Sequence, residues 1–146
     1  MLIRLMKIED YNDVYRLWCN TQGMGLNTAD DSRAGIEAYL RRNPNTCFVS
    51  EVEQGIAGAI LAGHDGRRGF IYHLSVSAEH RGKKIGSALV ERAMAALEKE
   101  GIRKIALVVF DRNEAGNAFW ERLGFTKRED LIYRNKSIEE LTRIDT

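Results

Sequence analysis

A mixed α/β fold, one sheet with helices packed against it, is predicted by three features of the chain. Three strand-like runs follow one another at 46–53, 56–63 and 69–76. Segments 9–21, 30–42, 84–100 and 114–123 read as helices. Further strand-like runs lie between and around them, giving the order β-α-α-β-β-β-α-β-α-β, a sheet covered by helices.

Residues 2–6 are mostly apolar and open the sheet. Tyr11, Val14, Tyr15, Leu17 and Trp18 recur at helical spacing. The glycines and Asn of QGMGLNTA (22–29) mark a loop. The helix over 30–42 turns Ile36, Tyr39 and Leu40 inward, with Asp30 or Asp31 near its N-cap and Asn43-Pro44-Asn45 ending it. Gln54-Gly55 and the stretch 64–69 read as hairpin connections. The clearest helix, 84–100, lines Ile85, Leu89, Ala93, Ala96 and Leu97 along one side, and Gly101 stops it. Residues 102–110 read as a buried strand and 114–123 as a short helix. Strand-like stretches follow Gly124 over 125–134, and the last ten residues are polar and peripheral.

The 146 residues show no linker and no repeat and read as a single domain, 1–146. A chain of this size buries roughly 68–70% of its unfolded surface, enough for a core without metals or disulfides. Lys plus Arg is 22 against 21 for Asp plus Glu, which speaks against a general nucleic-acid binder. Cys19 and Cys47 form no CxxC pair, and a reduced, cytoplasmic protein is the simplest reading. The N-terminus lacks the apolar stretch of a signal peptide. No run approaches about 18 apolar residues, so no membrane partner is expected. His64, His73 and His80 have no metal-ligand spacing, and no metal is expected.

The most informative segment is LSVSAEHRGKKIGSAL (74–89). A strand ends at Val76, a polar turn follows, and a helix begins near Lys84. Free N–H groups and the helix dipole at such a junction favour an anion. Gly82 and Gly86 allow a ligand close to the backbone. His80, Arg81, Lys83 and Lys84 crowd a helix start where positive charge costs about 0.3–1 kcal/mol each. A bound pyrophosphate would reverse that cost, whereas a solvated basic turn would leave it standing.

LSVSAEHRGKKIG (74–86) resembles the acetyl-CoA signature [Q/R]-x-x-G-x-[G/A] of the GNAT acetyltransferase superfamily, with Arg81 leading and Gly86 closing. NEAGNAFWERLGF (113–125) resembles that family's second signature, N-x-x-A-x-x-[FL]-Y-x-x-x-G-F. The resemblance covers essentially the whole chain. It implies a mixed, mostly antiparallel central sheet flanked by helices and an acetyl-CoA-dependent N-acetyltransferase acting by direct transfer in a ternary complex. The N–H groups of Arg81, Gly82, Lys83, Lys84, Ile85 and Gly86 would hold the pyrophosphate, with Ser87 beside them. The backbone of Leu74 and Val76 would pair with the pantetheine arm, and the Leu74 N–H would face the thioester carbonyl as oxyanion donor. Asn113 and Trp120 would contact the coenzyme. Small-molecule amines and protein N-termini or lysines are the acceptors the resemblance implies, and a homodimer is compatible with it.

Two departures from the signatures stand out. Lys84 stands where the loop has an internal glycine, and its backbone can still donate if its conformation is helical. Trp120 stands where many members have a Tyr that protonates the leaving thiolate, and an indole N–H is no acid near neutral pH. An acyl-CoA-binding or regulatory module with little turnover is therefore a second reading.

Period-two alternation in 70–76 would place Phe70, Tyr72 and Leu74 on one face and Ile71, His73 and Ser75 on the other. Tyr72 would then share the face of Leu74, as an aromatic wall against the acceptor or as a proton relay. His73 reads as a buried structural histidine. Glu51 and Glu53 read as the wet face of a strand, and Trp18 as core. Met24, Leu26 and Asn27 lie where the family covers its acceptor. Neither cysteine has an adjacent base, and direct transfer needs none.

Overall fold

The computed structural model describes all residues, 1–146. Its central sheet has the order β1(Leu2–Leu5)-β3(Phe48–Val52)-β4(Gly55–His64)-β5(Gly69–Val76)-β6(Ile105–Ala106). The first three pairings are antiparallel, and β5 with β6 is parallel. Strand β4 is buried on both faces, which explains its near-continuous apolar run. Ala59 and Leu61 pack toward α1(Tyr11–Cys19) and α2(Arg33–Arg42), with Val14, Trp18 and Ile36. Ile60 and Ala62 pack the other way, toward α3(Ile85–Lys99), with Leu89, Ala93 and Leu97. Helix α4(Glu114–Arg122) leans its Phe119 and Trp120 on that second core.

Helix α2 begins at Ser32, whose Oγ accepts the Gly35 N–H at 3.0 Å, and not at Asp30 or Asp31. Those aspartates belong to the preceding turn, where the Asn27 side chain accepts the N–H groups of Ala29 and Asp30. Asp10, at the start of α1, is forked by Arg4 at 2.8 and 2.9 Å, and Arg4 also bonds Glu51. Burial pushes the Asp10 carboxyl up, but Arg4 and the Lys7 N–H outweigh it and hold the group below its ordinary range.

Three expectations fail at the C-terminal side. Only Ile105–Ala106 of the run 102–110 forms a ladder, because β6 parts from β5 after Phe70. No strand forms over 125–134. Its apolar residues Leu131, Ile132 and Tyr133 are consecutive and exposed, so no one-sided face exists to bury, and an unpartnered strand is marginal in water. The last residues are not all peripheral. Arg143–Ile144 forms β7 against β2(Leu26–Asn27), and Ile144 packs on the first core.

Candidate acyl-carrier cleft

Where β5 and β6 part, β5 keeps an open edge. Ser77 donates its N–H to Ala57 of β4 at 2.8 Å. Alternation along the strand therefore turns the N–H and C=O groups of Leu74 and Val76 away from β4, toward the open edge. The Val76 carbonyl accepts the Arg81 Nε at 3.3 Å, in keeping with that direction. The facing wall is the segment 107–113 with α4, and Phe110 reaches across to the loop before β2, where a Cβ on Gly25 would sit 3.7 Å from its ring.

At the end of this edge the chain makes a short turn at Ala78–His80 and enters α3. The backbone N–H groups of Gly82, Lys83, Lys84, Ile85, Gly86 and Ser87 have no partner within the protein. Helices α2 and α4 differ, since Ser32 and Asn113 cap them through side-chain oxygens. Gly82 has φ 78° and Lys84 has φ 62°, ψ 21°, the one non-glycine residue of the chain with positive φ. Lys84 is thus left-handed rather than helical in the ordinary sense, a conformation costing roughly 1–2 kcal/mol for a residue with a Cβ. It keeps the backbone path that a glycine takes more cheaply. Arg81, Lys83 and Lys84 are exposed, and none has a carboxylate partner. Six free donors and three unpaired cations converge on one helix start.

Gly86 lies in the first turn of α3, close under α4: a Cβ there would meet the Phe119 ring at 3.4 Å and Val76 Cγ2 at 3.7 Å. The Asn113 Oδ1 accepts the Gly116 N–H at 2.9 Å and so caps α4. Trp120 is packed edge-on between Phe119 and Phe125, with ring centroids 5.0 and 5.1 Å away.

Strand β5 does not alternate strictly. Leu61 pairs with His73 and Ala62 with Ile71, so Tyr72 is an extra residue in a β-bulge. The expected faces change accordingly. Ile71, Leu74 and Val76 pack toward α3, whereas Tyr72 and His73 both face α1 and α2. Tyr72 is not on the face of Leu74. It stands 58% exposed, edge-on to Tyr39 and 4.7 Å from the Phe70 ring. His73 is buried and bonds Asp31 at 2.8 Å, an ion-pair geometry between strand and turn that sequence spacing could not show.

The acceptor candidates fare unevenly. Leu26 is 2% exposed in the core, so its side chain cannot meet an acceptor. Asn27 spends its side chain on the turn, bonding Ala29, Asp30 N–H and the Asp30 carboxylate. Met24 is half-buried, with its N–H on Thr146 Oγ1. Trp18 is core. Glu51 pairs with Arg4, and Glu53 is exposed. Burial pushes the Cys47 thiol up to about 12, which makes it inert as a nucleophile. No group of three or more His, Cys, Asp or Glu side chains is arranged to hold a metal. No helix is long and apolar enough to cross a membrane.

The splayed sheet, the uncapped α3 and the flanking helices define an acetyltransferase fold. Residues 11–125 match the profile of the acetyltransferase (GNAT) family, and the chain belongs to that family. An acetyltransferase of Photorhabdus laumondii is 34% identical over 142 residues, spanning 94% of this chain and 96% of the relative. Among solved structures, the NatC complex bound to Gag peptide and CoA shares the fold with TM-score 0.73 and 20% identity, covering 88% of this chain and 86% of that one. AAC(6′)-Iy, in complex with the bisubstrate analogue CoA-S-monomethyl-acetylneamine, does so with TM-score 0.71 and 17% identity, covering 93% and 97%.

Proposed function

We propose that the chain, acting as one domain over 1–146, moves acetyl from acetyl-CoA to a primary amine by direct transfer in a ternary complex. The observation that carries this reading is the run of free N–H groups from Gly82 to Ser87, set at the end of an open strand edge. The residues present suit such a cosubstrate. Its pyrophosphate would satisfy donors that nothing in the protein satisfies, and its amide-bearing arm would extend the edge at Leu74 and Val76. The acyl carrier supplies the activated thioester; the protein binds it, aims it and offers the Leu74 N–H where negative charge develops. Relatives of this fold seen with a peptide or with an acetylneamine analogue support an amine acceptor, small or proteinaceous. The two unpaired cysteines agree with a cytoplasmic enzyme.

Thermal melting tests the coenzyme assignment. Acetyl-CoA at 100 times its dissociation constant is expected to add roughly 2.7 kcal/mol. No shift at millimolar acetyl-CoA would sink the assignment.

Trp120 favours the second reading, a CoA-binding module with little turnover, because the usual acid is absent there. Its edge-on packing instead supports a shape role. A thiolate with a parent pKa near 8.5 can be protonated by solvent. Trp120→Phe should therefore leave turnover close to wild type while lowering the melting temperature, since the smaller ring leaves a gap. Thiol release across a panel of amines separates the two readings, and a large loss of turnover in folded Trp120→Phe would refute the shape role.

A further inference from the structure

Tyr72 is the one exposed residue of β5, whose other residues are buried or half-buried. Two features put it there. The ladder with β6 ends at Phe70, so the edge of β5 is open beyond that residue. The bulge then turns Tyr72 to the α1/α2 side, while Leu74 packs to the α3 side with Phe119 and Trp120. The Tyr72 ring is held in place by other rings. It stands edge-on to Tyr39 with centroids 5.7 Å apart, and tilted against Phe70 at 4.7 Å. Tyr39 is half-buried against the first core, which fixes that contact.

This position bears on the acceptor. A strand rises about 3.3 Å per residue, so Tyr72 lies roughly 7 Å along the edge from Leu74, whose N–H faces out of it. On the α3 side, the space over this edge is filled by Leu74, Val76, Phe119 and Trp120. On the other side His73 and Ser75 are buried, with Trp18 of α1 packed against the His73 ring at 4.8 Å. Tyr72 is therefore where β5 opens to solvent, and an amine reaching a thioester held at Leu74 passes its ring.

Both walls of the opening are aromatic. On the facing segment Phe110 is 43% exposed, with the Arg112 guanidinium 4.3 Å from its ring centroid. The carboxylates on these elements make no anionic cluster. Asp31 is buried on His73, Asp30 is bonded by the Asn27 amide, and Asp111 is followed directly by Arg112. A polyamine or an aminoglycoside needs carboxylates for its several cations. A single ammonium carried on an aromatic group needs ring surface, and paired rings gain more than their buried area alone provides.

Resting on the acetyl-transfer reading above, we infer that Tyr72 is a specificity-determining residue and that the acceptor is a primary amine joined to an aromatic group. The test is thiol release from acetyl-CoA with phenethylamine, a Phe-Gly-Gly peptide, butylamine, spermidine and an aminoglycoside. For the better of the two aromatic amines, kcat/KM should exceed that for butylamine and for spermidine by at least ~10-fold. Which of the two is better shows whether the ring comes from a free amine or a peptide N-terminus. Tyr72→Ala should cut the aromatic-to-butylamine ratio about 10-fold, mainly through KM, because a wall binds ground state and transition state alike. Tyr72→Phe keeps the ring and should keep the ratio. Both variants should retain the acetyl-CoA melting shift, since the free N–H groups lie at the far end of the edge. Should Tyr72→Ala fail to fold, Tyr72→Leu carries the same comparison. A polycation as the preferred acceptor, or an unchanged ratio in either folded variant that lacks the ring, overturns this inference and leaves acetyl transfer standing. A protein that melts higher with acetyl-CoA yet releases no thiol with any amine overturns the acetyl-transfer reading and this inference with it.

Discussion

Gly86→Glu is expected to weaken acetyl-CoA binding by at least ~100-fold while the protein stays folded. The new carboxylate would stand in the first turn of α3, among the free N–H groups from Gly82 to Ser87. Two like charges about 4 Å apart near a protein surface repel by about 4 kcal/mol, so a loss of two decades is a modest expectation. The same carboxylate suits the helix itself. A negative group at an N-terminus contributes about 0.3–1 kcal/mol, and here it would face the uncapped donors. The unliganded protein should therefore melt near the wild-type temperature or above it. Gly86→Ala is the control for bulk. Its Cβ would rest 3.4 Å from the Phe119 ring, tight but against a half-buried side chain that can shift. Calorimetry with acetyl-CoA reads the difference: Ala should bind much as wild type does, and Glu should not. An unchanged dissociation constant for the Glu variant would show that the phosphates lie elsewhere.

The chain made this loop legible because its signal is local. Gly82, Gly86 and four basic residues mark a strand–turn–helix junction without any knowledge of tertiary structure. The same holds for β3, β4, β5 and α3, whose apolar runs and stop signals fix them within a residue or two. What was illegible depends on partners far along the chain. The bulge at Tyr72 arises from pairing with β4, and period-two reasoning carried past it moves Tyr72 to the wrong face. Leu26 looked like a loop residue until β7, from the far end of the chain, paired with it and closed the core over it. The His73–Asp31 bond joins residues 42 positions apart, and no spacing rule reaches that far. Lys84 is a different failure. Its identity hid a glycine-like conformation that the loop geometry imposes.

Leu89→Ala should be the most destabilising of these substitutions, at about 3–5 kcal/mol. Leu89 is fully buried one turn beyond the uncapped start of α3, and it anchors that helix on β4. Typical domains have only about 5–15 kcal/mol in total, so a fall in melting temperature of roughly 10 °C is expected. The loop before α3 is held separately, by the path of Gly82 and Lys84, so the shift produced by saturating acetyl-CoA should persist in the variant. A lost shift would mean instead that the helix must be anchored for its N–H groups to converge. Gly58 identifies the contact that matters. A Cβ on Gly58 would lie 3.0 Å from Leu89 Cδ1 and 3.1 Å from both Ile85 Cγ2 and the Ser75 carbonyl. Gly58→Ala alone should therefore destabilise, by crowding. In the Leu89→Ala background the same methyl enters the space the leucine vacated. The pair should then be less unstable than the sum of the single variants, by about 0.5–3 kcal/mol, the usual range for residues in contact. Denaturant midpoints for the four proteins measure that coupling. Strict additivity would show that the sheet and α3 relax independently at this point, and that close packing of Leu89 over Gly58 does not hold α3 to the strand.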